Sequence, residues 1–424
     1  MSNIYLQRYA TAKHYLSTER YGTPNIVVTL PCYNEPDLMG SLEALERCSA
    51  PKGEVSIIVI VNASVTETDE VKRHNEQTYR QGLEWASSTE RQFSYHFILE
   101  NEMPKKHAGV GLARKIAMDE AVRIFESQGK DGLIVCFDAD SDCSTNLFVA
   151  LEKAFENESV PGCSIRFEHP LEGQLHEAIY SGIINYELHL RYYVDGLKYA
   201  NYPFAFHTVG SSMAVRSSAY QKQGGMNRRK AGEDFYFLNK IIPMKGFLNV
   251  NDACIIPSPR VSDRVPFGTG KAIGAWLKTD QIEMETYHFK IFQDLKTFIL
   301  AIDSFFEIEN QEENWTLLPK SVKAFVPYLM FEEKLKEINY HSNHLTTFRK
   351  RFFQWFDAFK VLKFIHFARD EFHDNISVDK ATNWLLSLER ERQEKLSLKD
   401  KLERIRVLDK SEAKFSGNEP QHGV

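Results

Sequence analysis

Four short apolar runs recur along the first third of the chain: NIVVTLP (residues 25–31), VSIIVIV (55–61), YHFILE (95–100) and LIVCF (133–137). They are rich in β-branched and aromatic residues and too short for helices, so they read as buried strands. The segments between them, 37–48, 67–86 and 111–127, read as helices. Strand and helix in alternation make βαβ units. The feature therefore constrains this part of the chain to an α/β fold, a mostly parallel, Rossmann-like sheet with helices on both faces.

The fourth run ends in FDADSD, which places Asp138, Asp140 and Asp142 at alternate positions. On a continuous strand those three carboxylates would share one face and repel, unless the chain turns or a cation sits among them. Mg²⁺ or Mn²⁺ suits such oxygen donors, because magnesium takes one or two protein carboxylates and completes its shell with water and phosphate oxygens. Spacing alone is not diagnostic: Glu35 and Asp37, or Glu67 and Asp69, repeat it. Position adds weight, since ligands of open α/β sheets bind beyond the carboxyl ends of the strands.

After Asp142 the pattern is mixed. Strands are expected at 162–167, 211–215 and 247–257, and helices at 175–197 and 233–242. From about residue 276 to 410 long charged and aromatic segments with few glycines indicate a helical C-terminal region. Residues 411–424, with Gly and Pro, read as a disordered tail. The expected organisation is thus a first domain at 1–275, in two parts at about 25–142 and 143–275, followed by the helices and the tail.

A formal net charge of -6 over 424 residues gives no global attraction to nucleic acid. No run of roughly 20 apolar residues suits a membrane helix, and the N-terminus lacks a hydrophobic signal core. Six scattered cysteines without a CxxC pair fit a reducing cytoplasm better than a zinc site or a disulfide framework.

Four stretches stand in order: LPCYNEPD, AGVGLARKIAMDEA, FDADSD and AGEDFYFLNK. Together, over roughly residues 25–270, they resemble family 2 glycosyltransferases of the GT-A fold. The resemblance implies an inverting, metal-dependent enzyme that moves a sugar from a nucleoside diphosphate donor to an acceptor hydroxyl. It implies Asp234 as catalytic base, Asp138 at the ribose or metal, and Asp140 as a ligand of Mn²⁺ or Mg²⁺.

The residues themselves have chemical reasons for those places. Pro31, Tyr33 and Glu35 supply a fixed turn, an aromatic face and a carboxylate able to hold a nucleobase and ribose, although Asn34, Glu35 and Asp37 equally suit a helix start. Asn62 stands where the family carries an aspartate against the base; its amide can still donate and accept, which leaves the base unassigned. The GxG of AGVGLARK is no dinucleotide fingerprint, because the third glycine is missing and NEMPKKH reads as no strand. It reads instead as a helix N-terminus near phosphate, with Arg114 as a planar donor fork or as a solvated helix residue. The resemblance makes 25–142 the donor half and 143–275 the acceptor half, with Glu233 on the acceptor side and Gly210 and Ser211 allowing close approach of a sugar; Glu233 and Asp234 equally suit the first turn of a helix, where acids favour the dipole. Arg260, Arg264 and Lys271 occupy a Gly/Pro-rich loop of the kind that closes over a diphosphate, Arg264 being the donor-binding candidate.

The stretch at 348–370 is aromatic and basic. Phe352, Trp355, Phe356, Phe359 and Leu362 repeat at helical spacing, which means core packing or, less commonly, contact with a membrane surface or a lipid-linked acceptor. A small-molecule acceptor is equally open. Two rival readings, a nucleotidyltransferase and a non-catalytic sugar-binding protein, would use the same acidic parts.

Overall fold

The computed structural model describes residues 3–16, 22–262, 268–278, 283–306, 311–388 and 396–415. Eight strands form one mixed sheet: β1 (Ile26–Cys32), β2 (Val55–Ser64), β3 (Ser94–Met103), β4 (Leu133–Cys136), β5 (Ser141–Cys143), β6 (Gly162–Phe167), β7 (Met213–Arg216) and β8 (Leu248–Pro257), in the order β3-β2-β1-β4-β7-β6-β8-β5. The run β3-β2-β1-β4 is parallel, β7 is antiparallel to both β4 and β6, β6 and β8 are parallel, and β5 closes the edge antiparallel to β8. This helix-flanked sheet followed by a helical C-terminal region is a GT-A-like Rossmannoid fold.

The helices of the first three quarters are α1 (Ile4–Arg8), α2 (Leu38–Glu46), α3 (Asp69–Ser88), α4 (Val110–Ser127), α5 (Leu147–Ala154), α6 (Glu177–Tyr199), α7 (Ser217–Lys222), α8 (Glu233–Ile241), α9 (Thr269–Trp276) and α10 (Phe289–Ala301). The remainder are α11 (Gln311–Thr316), α12 (Lys320–Phe325), α13 (Tyr328–Tyr340), α14 (Leu345–Trp355), α15 (Ala358–Glu371), α16 (Val378–Ser387) and α17 (Leu398–Phe415), with a two-stranded pair, β9 (Glu285–Thr286) and β10 (Ile376–Ser377).

The chain divides into two units. The first comprises Met1–Tyr180 and Phe206–Gly274, and the second Ser181–Ala205 and Ala275–Val424. Residues 181–205, assigned by sequence to the first region, thus belong with the C-terminal helices. The amphipathic pattern of α6 shows that it buries a face but does not name the partner.

In the first unit β1 and β2 are the centre of the core, with Val27, Val28, Leu30 and Ile57–Val61 all buried. Helix starts follow the local sequence. The side chain of Asp37 accepts from Gly40 N–H (3.0 Å) to open α2, and that of Thr68 accepts from Val71 N–H (3.3 Å) to open α3. α4 is unusual: Gly111–Phe125 is buried on every side, charged residues included. Its polar face lies beneath the N-terminal segment, where Asp119 accepts from Tyr5 OH (2.6 Å), Thr11 N–H (2.7 Å) and Tyr220 OH (2.8 Å). Buried charge is tolerated there because it is paired.

Two local expectations are corrected. β3 runs through the NEM of NEMPKKH to Met103, so that segment is in part a strand. α17 continues to Phe415, so the tail begins as helix; residues 416–424 lie outside the described residues.

The second unit is built around aromatic side chains. Phe298 meets Phe331, Phe352 and Phe356 with ring centroids 5.9, 5.9 and 5.1 Å apart, contacts worth about 0.5–1.5 kcal/mol each beyond area burial. The 348–370 stretch is two helices, α14 and α15, separated at Phe356 and Asp357. Phe352 and Phe356 are fully buried, Trp355 packs on the same cluster, and Phe359 and Leu362 are half-buried. Core packing accounts for the stripe. The buried Glu187 carboxylate accepts from Arg191 Nε (2.9 Å) and from Arg406 Nε (2.8 Å), which ties α17 to α6.

Candidate active site

The parallel strands place the motif residues at one sheet edge. β1 is flanked by β2 and β4, and the connections from β1 and to β4 leave it on opposite sides, the arrangement that opens a ligand crevice at the carboxyl ends. Glu35 follows β1 and Asp138 follows β4, so both lie at that crevice.

The three aspartates do not share a face. The chain turns at Ala139 and Asp140, Ser141 N–H donating to Asp138 O (3.1 Å), and Asp142 sits in β5. Each carboxylate has its own arginine. Arg114 Nη2 is 2.6 Å from Asp138 Oδ1, Arg260 Nη2 is 3.1 Å from Asp140 Oδ2, and Arg47 Nη2 is 3.1 Å from Asp142 Oδ1. The repulsion inferred from sequence is thus relieved both by a turn and by guanidinium groups. Asp142 is exposed and directed away to Arg47.

Arg114 is not a solvated helix residue. It is buried, and its fork reaches Asp138 through Nη2 and Glu233 Oε1 through Nε (3.1 Å). α4 can bring it there because its glycines admit another segment: a Cβ on Gly111 would lie 2.3 Å from Arg229 O, and one on Gly109 2.8 Å from Lys230 Cα. Asn227 Nδ2 donates to Glu233 O (2.8 Å) and fixes the start of α8.

α8 begins after Gly232, whose φ of +67° suits glycine. Glu233 is buried and its carboxyl is pushed up to about 7, first by burial and then by the neighbouring Asp234, with the Arg114 guanidinium opposing. Asp234 is also raised, by burial first and by Asp138, while the Phe235 N–H (2.7 Å), Gly210 N–H and Arg114 favour its charged form. Gly210 lies directly against this group. Ser211 is buried, its Oγ 3.4 Å from that of Ser212.

On the β1 side Tyr33 OH donates to Glu67 Oε2 (2.8 Å), and Asn34 adopts φ +45°. Asn75 holds that turn: its Oδ1 accepts from Asn34 N–H (3.0 Å), and its Nδ2 donates to the Asn62 carbonyl and to Asn101 Oδ1 (3.0 Å each). Asn62 is buried at the end of β2, and Pro31 lies within β1. Glu35 is buried and gripped through both oxygens by Arg260, with Nη1 to Oε1 at 2.7 Å. Sequence reasoning missed Asn75, whose place on α3 carries no motif, and named Arg260 only as part of a loop. Arg264 lies outside the described residues.

The donor set suits a divalent cation of the magnesium type. Asp138 and Asp140 offer two hard carboxylates at a ligand crevice, leaving other positions to water and a diphosphate. Among the described residues no group of three or more His, Cys, Asp or Glu side chains could hold a metal ion.

No protein-family model matches the chain, and no curated protein matches it. Among solved structures it is similar to S. aureus TarS 1–349 in complex with UDP-GlcNAc, with a TM-score of 0.39 and 12% identity over 77% of this chain and 91% of that one. TarS 1–349 in complex with UDP gives the same values. A longer S. aureus TarS structure gives a TM-score of 0.33 and 13% identity, covering 77% of this chain and 55% of that one.

Proposed function

We propose that this chain is a family 2-type glycosyltransferase that transfers a sugar from a nucleoside diphosphate donor to an acceptor hydroxyl with inversion. One observation carries the reading: Arg114 joins Asp138, at the nucleotide crevice, to the Glu233–Asp234 pair, whose aspartate is held against Gly210.

In this reading Pro31, Tyr33 and Asn62 serve the nucleoside, Glu35 anchors Arg260 beside it, Arg260 and Arg264 serve the diphosphate, and Arg114 beneath them holds Asp138 and Glu233 in place. Gly210 gives the acceptor room beside Asp234. The acceptor hydroxyl passes its proton to the Asp234 carboxylate as its oxygen bonds to the anomeric carbon. The bond from that carbon to the diphosphate oxygen breaks, and the nucleoside diphosphate leaves with the electron pair. A single displacement inverts the centre. Asp138 and Asp140 would hold Mn²⁺ or Mg²⁺, which supplies Lewis-acid stabilisation of the departing diphosphate. Asp234 suits the base role because burial raises its proton affinity toward the working pH.

The acceptor is a lipid-linked or small-molecule sugar or alcohol. No helix among the described residues is long and apolar enough to cross a membrane. The six cysteines are buried thiols outside any disulfide, which suits a reducing compartment such as the cytoplasm.

The test is product analysis with UDP-, GDP- and dTDP-sugars and Mn²⁺, together with a thermal-shift panel in which a bound donor raises apparent stability. Release of nucleoside diphosphate is expected. Release of pyrophosphate would mean nucleotidyl transfer, and no turnover with any donor would leave a sugar-binding protein.

A further inference from the structure

Arg260 occupies a singular place. It comes from the segment after β8, 225 residues from Glu35 in sequence, yet both its terminal nitrogens rest on the buried Glu35 carboxylate and one of them also reaches Asp140. Glu35 follows β1 and Asp140 follows β4, neighbouring parallel strands. The guanidinium therefore bridges the two sides of the crevice at the carboxyl ends, where a ligand of such a sheet binds.

The other guanidinium groups here differ. Arg114 is buried inside the protein and Arg47 holds the exposed Asp142 away on β5, whereas the side chains of Arg260 and Asp140, beside the buried Glu35, are 23% and 25% exposed, bonded yet open to exchange.

We propose that Arg260 is a built-in cation that competes with the divalent metal for Asp140 and is released when a diphosphate arrives. The inference rests on the glycosyltransferase reading for the identity of the anion, but its metal arm does not. Arg260 Nη2 takes one lone-pair direction of Asp140 Oδ2 and sets a positive charge beside it, so a divalent cation on the same carboxylate is repelled and binding of one weakens the other. A diphosphate offers the guanidinium an alternative set of oxygens of the fork geometry it favours. Metal and diphosphate should then bind with positive coupling, each removing an obstacle to the other. Such an exchange keeps the acidic edge neutralised before substrate and exposes the metal site only when a donor is present.

The experiment titrates Mn²⁺ alone, by electron paramagnetic resonance, into the full-length chain and into Arg260→Ala, Arg260→Met and Arg260→Lys. Met keeps the apolar stem should Ala fail to fold, and circular dichroism verifies each fold. Ala and Met are expected to bind Mn²⁺ on the order of 10- to 100-fold more tightly than the natural chain, the worth of one charged hydrogen bond, with Lys between. A second titration adds UDP or GDP. In the natural chain the nucleotide should tighten Mn²⁺ binding, and in Ala and Met that coupling should shrink, a change that a merely structural arginine would not produce. Equal or weaker Mn²⁺ affinity in folded Ala and Met variants overturns the proposal, as does the absence of Mn²⁺ binding in all forms. If sugar donors yield no nucleoside diphosphate while the Mn²⁺ affinities shift as expected, the glycosyltransferase reading fails and the exchange stands.

Discussion

Gly210 leaves Arg114 no space for even a methyl group: a Cβ built on it would stand 2.9 Å from Arg114 Nη2 and 3.1 Å from Asp234 Oδ2. A flexible arginine tip could yield at little cost, but this one is anchored to Asp138 and Glu233. Gly210→Ala is therefore expected to displace the guanidinium or the carboxylate. Overpacking of this kind costs about 1–3 kcal/mol, and misplacement of a reacting group by about 1 Å can cost ~10²-fold in rate. A steady-state rate near that of the natural chain, with unchanged thermal stability, would show that Asp234 is not positioned by this contact.

Arg114 holds two carboxylates, and Glu233 is almost entirely out of water. Arg114→Met should destabilise the first unit by about 3–5 kcal/mol, because an unpaired buried charge remains. Adding Glu233→Gln removes that charge, so the double variant should recover part of the loss. Urea unfolding of both singles and the double closes the cycle. Additive losses would show that the two side chains do not interact.

These pairings mark the limit of what the sequence shows. Strand runs were legible because β1, β2 and β4 are buried on both faces, β3 is half-buried but rich in aromatic and β-branched residues, and LPCYNEPD and FDADSD fall at the ends of two of them. β5 was not, because the three residues SDC carry no apolar run. Arg47, Arg114 and Arg260 each find one aspartate of FDADSD, at separations of 95, 24 and 120 residues. No local pattern encodes such distances. α4 misled for the opposite reason: its charged residues look like a solvated face, but the N-terminal segment and α7 cover them, and only the tertiary fold supplies Asp119 with Tyr5 and Tyr220.

The raised Glu233 carboxyl makes a signed statement about stability. Its folded value, near 7, exceeds its ordinary 4.5, so the folded state binds a proton more tightly than the unfolded chain. The resulting stability is fully present below 4.5 and is lost as pH rises from 4.5 to about 7, by about 1 kcal/mol per pH unit. Glu233→Gln cannot titrate. The stability of the natural chain relative to this variant should therefore fall across that window and level off above it. A pH-independent difference in urea unfolding would show that the group titrates normally.

In the second unit Phe352 is fully buried among Phe298, Phe348, Phe353 and Phe356. Phe352→Ala should cost about 3–5 kcal/mol through lost burial and the cavity left behind. If instead the 348–370 stretch served chiefly to contact a membrane, the variant would lose vesicle binding with little change in thermal unfolding.

Asp234→Asn keeps the size of the side chain and an oxygen to accept from Phe235 N–H, now 2.7 Å from the carboxylate. It removes only the ability to take a proton. Donor binding, read by thermal shift, should stay nearly intact while the rate falls by ~10²–10⁴, the usual worth of a general base. The pH dependence should change as well. In the natural chain the acid limb should lie above the ordinary carboxylate range, because burial raises both Glu233 and Asp234, and its apparent midpoint belongs to the pair. In the variant the Asp234 charge no longer raises Glu233, so any residual limb should move toward lower pH. Undiminished turnover in Asp234→Asn would remove this residue from the chemistry and leave Glu233 as the carboxylate to test next.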